Sequence, residues 1–159
     1  LKVVLASVAA GTVTVRRATG DTTIATMEAG ITSVRRLFYD AAADASGGSS
    51  RSFYEKVFVK NTNGVTTLTN AQIAEQADPT TNITFDLEDA VDDSNSVANR
   101  LDTAPTGMLG SFDNTTKTVP GGGNLAAGSR IGVWLKLTLA AGTSPTKSTY
   151  TLRTTGTTT

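Results

Sequence analysis

Near the C-terminus, Ile131, Val133, Leu135, Leu137 and Leu139 interleave with Gly132, Trp134, Lys136 and Thr138. A period of two marks a strand with one apolar face. Residues 53–60 repeat it, with Tyr54, Phe58 and Lys60 on one side and Phe53, Val57 and Val59 on the other. Ile83, Phe85 and Leu87 alternate with Thr84, Asp86 and Glu88 as a shorter strand. Asn61-Thr62-Asn63-Gly64 carries the Asn-Gly hairpin signal, which predicts 65–73 as the return strand beside 53–60. Residues 140–145 predict a second turn, with 148–154 pairing back onto 131–139. Thr154 to Thr159 is expected to be a mobile end.

Two N-terminal segments echo each other: Thr12-Val13-Thr14-Val15-Arg16-Arg17 and Ile31-Thr32-Ser33-Val34-Arg35-Arg36. Each predicts a strand, but six residues are too few for a repeat architecture. The Ala/Ser/Gly run at 41–50 predicts a loop with a short helical turn at the alanines. Residues 89–124 form a long connection in which 108–112 and 116–119 are candidate short strands, and Gly121-Gly122-Gly123 is expected to be flexible. Nine or so strands at short spacing predict an all-β fold, an antiparallel two-sheet β-sandwich.

Composition narrows the chemistry. Of 159 residues, 29 are threonine and 15 glycine, which suits half-wet strands and turns. A 38% hydrophobic content in alternating runs argues against disorder. There is no histidine and no cysteine, so imidazole bases, thiolate nucleophiles, disulfides and His- or Cys-ligated metals are excluded. The apolar run from Val3 to Ala10 is broken by Ser7 and falls short of the roughly 20 residues of a membrane span. No membrane association and no leader peptide are expected.

Fourteen basic residues balance fourteen acidic ones, so nucleic-acid binding is not expected. The balance hides a segregation. Residues 1–60 carry eight basic and five acidic groups (+3), 61–103 one and eight (−7), and 104–159 five and one (+4). The acidic block holds Asp86, Glu88, Asp89, Asp92, Asp93 and Asp102. Carboxylates in such a run can supply oxygens to Ca2+, although the EF-hand spacing is missing. A solvated acidic edge, or a docking surface for basic groups, is the more ordinary reading. Glycosidase chemistry would need a carboxylate pair and sugar-stacking aromatics, and aromatics are only 6% of the chain. The expectation is a protein that is not an enzyme.

Three features bear on contacts instead. Arg16-Arg17 and Arg35-Arg36 each send one guanidinium to either face of a strand. They suit edge protection, or bidentate pairing with the 86–93 carboxylates of a neighbouring copy. Trp134 lies opposite the leucine ladder, over a second core or a subunit contact; large aromatics are usually buried, which favours the core.

Several short motifs resemble a family of tailed-bacteriophage virion proteins. They are Leu37-Phe38-Tyr39-Asp40, Val59-Lys60-Asn61-Thr62, Thr103-Ala104-Pro105-Thr106-Gly107, Leu125-Ala126-Ala127-Gly128-Ser129-Arg130 with Val133-Trp134-Leu135, and Tyr150-Thr151-Leu152-Arg153. The resemblance spans roughly 31–156 and implies an immunoglobulin-like (or jelly-roll-like) sandwich with a structural role. Ser52-Phe53-Tyr54-Glu55-Lys56 departs from the Tyr-Arg-Cys pattern of that family, and the first 30 residues match nothing in it. The implied organisation is an extended N-terminal arm at 1–30, a sandwich at 31–156 and a flexible tail at 157–159. The implied role is a capsid decoration (cement) protein on the virion exterior. Its partners would be the major capsid protein or copies of itself, in a homo-oligomer or other multi-copy assembly. A phage tail or fibre module, or an extracellular adhesin binding a host surface through 89–124, is the alternative; a carbohydrate- or Ca2+-dependent binding module is a third.

Overall fold

A computed structural model describes residues 2–5, 13–16, 23–27, 32–35, 37–38, 41, 48–78, 81–143 and 149–158, the first four segments by backbone alone. Ten strands are present: β1 (Lys2–Leu5), β2 (Val13–Arg16), β3 (Thr23–Met27), β4 (Thr32–Arg35), β5 (Arg51–Asn61), β6 (Leu68–Ala77), β7 (Ile83–Leu87), β8 (Lys117–Thr118), β9 (Arg130–Leu139) and β10 (Thr149–Thr158). Among the described residues, helical geometry occurs only at Ala41, and no helix is long and apolar enough to cross a membrane.

The expected all-β architecture is present as two sheets, in the orders β4-β1-β10-β6-β8 and β3-β2-β5-β9-β7. At the heart of each are three antiparallel strands, β10-β6-β8 and β5-β9-β7. The alternation of β5, β7 and β9 aims Phe53, Val57, Val59, Ile83, Phe85, Leu87, Ile131, Val133 and Leu135 into one core. Leu68, Ala71, Ile73, Tyr150 and Leu152 of the opposite sheet close it, with Val119, Leu125, Leu37 and Phe38 filling its margins. Burial of this apolar surface is the main force holding the two sheets together.

Two predicted hairpins are absent. β5 pairs with β9, and β6 pairs with β10, so Asn61 to Gly64 turns the chain from one sheet to the other. The local turn chemistry survives: Asn63 Oδ1 accepts the amides of Val65 and Thr66, both at 2.9 Å. What overrides the hairpin is burial on both faces. Residues 53–59 are buried without alternation, and such a strand requires covering layers on both sides. The C-terminal turn likewise separates β9 and β10 into different sheets.

Two expected flexible segments are ordered. β10 continues through Thr158, where Thr69 Oγ1 donates to the Thr157 carbonyl at 3.0 Å, so the anticipated mobile end is a strand paired with β6. The triple-glycine run is a tight turn. Each of its three residues has φ of 77°, and the Gly123 carbonyl accepts the Ala71 amide at 2.7 Å. That left-handed geometry explains the glycines. Most of the 41–50 loop falls outside the described residues.

Segment 2–35 contributes two short strands to each sheet. β1 runs parallel to β10 over four residue pairs and antiparallel to β4 over four. β2 meets β5 only at Val13–Asn61 and Thr14–Lys60, and pairs with β3 on its other side.

Candidate functional site

The outer face of the β5–β9–β7 sheet carries the most unusual chemistry. Cross-strand register aligns Lys56 with Trp134 and Trp134 with Asp86; one step along, Phe58 aligns with Gly132. Glu88 follows β7 and donates its amide to the Gly132 carbonyl at 3.0 Å. Alternation therefore turns Tyr54, Lys56, Phe58, Trp134, Asp86 and Glu88 away from the main core. They are buried all the same: Lys56 and Trp134 are each 1% exposed, Asp86 and Glu88 0%.

The cover is the connection 89–116. It leaves β7 beside β9, where the Asp92 amide donates to the Arg130 carbonyl and Asp92 Oδ1 accepts the Arg130 amide, both at 2.8 Å. It then crosses the sheet to β5, where the Tyr54 amide donates to the Arg100 carbonyl and the Asp102 amide to that of Ser52. The return limb runs along the free side of β7: Leu109 donates to Leu87, and Phe85 and Asp113 exchange backbone hydrogen bonds. Phe112 packs edge-on against Tyr54 with ring centroids 5.5 Å apart. The suspected short strand at 108–112 is thus an irregular edge beside β7, and 116–119 contains β8.

Beneath this cover Lys56 Nζ contacts Glu88 Oε1 and donates to the Asn95 carbonyl at 2.8 Å. Its ammonium lies 4.6 Å from the Phe58 ring centroid and 5.3 Å from that of Trp134. Both side chains of the pair have zero exposure. Burial pushes the Lys56 ammonium below, and the Glu88 carboxyl above, their ordinary ranges, while their mutual attraction opposes both shifts. Glu88 Oε2 and Trp134 Nε1 have no regular hydrogen-bond partner, although the indole N–H favours the ionised carboxylate. Gly132 makes the pair possible. It occupies the central strand between β5 and β7, and a Cβ there would overlap the Glu88 carboxylate and Lys56 Cε.

A second cluster fastens the sheet edge. Asp86 accepts the Leu87 and Gly110 amides at 2.9 Å each and faces Lys117 Nζ at 3.6 Å. Lys117 also pairs with Asp113 at 2.9 Å and donates to the Ser111 carbonyl at 2.8 Å. At the other end of β5, Glu55 accepts the Phe38 amide and Arg100 Nη1, both at 3.0 Å. At the core rim, burial and the charges of Glu75 and Asp78 push the Tyr150 phenol upward. Its hydroxyl donates to Asn114 Oδ1 at 3.3 Å.

The acidic run is consequently dispersed. Asp86 and Glu88 are engaged with Lys117 and Lys56; Asp89 and Asp92 are exposed, Asp93 half-buried with its carboxylate on the Asn95 amide, and Asp102 holds Arg51 at 2.5 Å. Asp86 and Glu88 therefore do not belong to a solvated edge. Among the described residues no group of three or more His, Cys, Asp or Glu side chains is placed to hold a metal ion, Ca2+ included. Trp134 is enclosed by the chain itself, within a second core. Arg16 lies in β2 and Arg35 in β4, on different sheets, while Arg17 and Arg36 lie outside the described residues.

Sequence reasoning missed Lys56, Gly132, Lys117 and Arg100. Lys56 and its neighbour Glu55 interrupt the apolar run 53–59 of β5, and Gly132 interrupts the leucine ladder's partner face. A glycine inside a strand signals close approach of another group, and that signal was present.

No family model matches the chain, and neither a curated protein nor a solved structure matches it.

Gly132→Ala should destabilise the protein by about 1–3 kcal/mol through overpacking. Gly110→Ala, where the new methyl meets open space, should change stability by less than about 0.5 kcal/mol. Urea unfolding of both variants checks this. Asp113 gives a pH prediction. The Thr115 hydroxyl, the Lys117 ammonium and the Thr115 amide hold its carboxyl far below the ordinary 3.8. A lowered folded-state pKa means that the unfolded chain takes up the proton first. Its stabilisation is full above pH 3.8 and is lost as pH falls towards the folded value. Asp113→Asn should lower stability at neutral pH and flatten the acid limb of a stability–pH profile; an unchanged limb would contradict this.

Proposed function

We propose that the chain is a non-enzymatic structural module of a multi-copy particle, an immunoglobulin-like sandwich acting as a capsid decoration (cement) protein on a virion exterior. The observation that carries this reading is the way segment 2–35 joins the fold. It adds strands to sheet edges through backbone ladders, four residue pairs from β1 to β10 and two from β2 to β5. Backbone pairing depends little on side-chain identity, so an edge that accepts a strand from its own chain can accept the same strand from a neighbour. Short ladders of this kind are individually weak. Repeated over a shell they become strong, because each engaged copy holds the next site at high effective concentration.

The internal fate of the charges supports the same role. Asp102, Glu88 and Asp86 of the acidic block form ion pairs within the fold with Arg51, Lys56 and Lys117, while Arg100 pairs with Glu55 and Lys117 also with Asp113. These pairs stiffen the sandwich, and stiffness is what a reinforcing component contributes. The partners in this reading are the major capsid protein and further copies of the chain, and the mechanism is edge pairing and burial with no turnover.

Adding the full chain to purified capsids that lack it tests the reading. It should bind in fixed stoichiometry and raise the temperature at which the shells disrupt, and a variant lacking residues 1–36 should do neither. Failure of the full chain to bind capsids, with binding to host cells instead, would replace this reading with the adhesin one.

A further inference from the structure

The Lys56–Glu88 pair has no role in edge pairing, yet it is fully enclosed beneath the cover of the outer face. Both side chains are fully buried, and the lysine lies against Phe58 and Trp134. Glu88 Oε1 contacts Lys56 Nζ, whereas Oε2 has no hydrogen-bond partner. The 89–116 connection closes over them, with the Asn95 carbonyl on the lysine nitrogen. The amine and the carboxyl group are thereby held in direct contact and out of reach of solvent.

We propose that Lys56 and Glu88 condense to an intramolecular amide, joining Nζ to Cδ across the central strand β9.

The geometry supplies what such a condensation needs. Contact in a fixed orientation replaces a bimolecular encounter, which is the largest advantage an enclosed pair can have. Burial favours the neutral amine and the neutral acid, the two forms that react. Asp93 and Arg130 are the other charged groups that act on Lys56, with opposite signs. The Asn95 carbonyl accepts a hydrogen from Nζ and thereby orients the nitrogen lone pair. The Trp134 indole N–H, which has no other partner, is available to the oxygen on which negative charge develops. Gly132 leaves the space over β9 through which the two side chains meet.

The step balances without any added reagent. A proton passes from the ammonium to the carboxylate, giving amine and carboxylic acid. The nitrogen lone pair attacks Cδ and forms the N–C bond. The nitrogen then gives a proton to the departing hydroxyl, the C–O bond breaks, and one water leaves. Ammonium plus carboxylate thus become amide plus water, with no change of oxidation state. Two buried ions are replaced by one neutral group, which removes the desolvation cost that a buried ion pair carries. The product ties β5 to the end of β7, between residues 32 positions apart in the chain.

Intact-mass measurement of the full chain under denaturing conditions tests this. The wild-type protein should be lighter than its sequence by one water, and proteolysis should release one branched peptide containing Lys56 and Glu88. Lys56→Arg and Glu88→Ala should each show the full sequence mass. The same readout works whether or not a variant folds. A wild-type mass equal to the sequence, with Lys56 and Glu88 recovered in separate linear peptides, overturns the proposal. So does loss of ammonia in place of water, which would move the acceptor to a side-chain amide, or persistence of the water loss in Glu88→Ala.

Discussion

The outer face of the β5–β9–β7 sheet has to be covered by the chain itself, and much else in the molecule follows from that constraint. Trp134, Phe58, Tyr54 and the stem of Lys56 would otherwise present a broad apolar patch to water. The 89–116 connection supplies the cover, which accounts for its length. It is pinned at β9 by Asp92, at β5 by residues 100–102 and at β7 by residues 109–113. The sandwich thus becomes three layers deep on one side. Its central strand β9 is buried on both faces from Ile131 to Leu135.

The same constraint redistributes charge. A run of carboxylates that looks uniform in sequence is sorted by strand alternation and by the path of the connection. Asp86 and Glu88 point under the cover, where an unpaired ion would be strongly disfavoured, and each finds a lysine. Asp92 and Asp102 remain accessible and act locally, on the Arg130 amide and on Arg51 with the Ser52 amide. The strong segregation along the chain is therefore answered in part within one copy. What it offers a neighbour is smaller than the counts of −7 and +4 imply.

Much of the fold was legible because strand alternation is a local property. The faces of 53–60, 83–87 and 131–139, the sandwich class and the burial of Trp134 all follow from period two and residue size. Strand partners were not legible. Asn61 to Gly64 encodes a turn but not which sheet the next strand joins, and that choice is made by the need to cover β5 on both faces. Lys56 was hidden for a related reason. A lysine in a strand reads as a surface residue until something is known to cover that surface. Gly132 was the one available hint, a residue without a side chain where the strand otherwise carries large ones.

The chain contains a single tryptophan, so its fluorescence reports directly on whether 89–116 seals the outer face. With Trp134 1% exposed, native emission should be blue-shifted relative to the unfolded protein and only weakly quenched by acrylamide. Native emission as red, and as readily quenched, as that of the protein in denaturant would show that the face is open and would contradict the account.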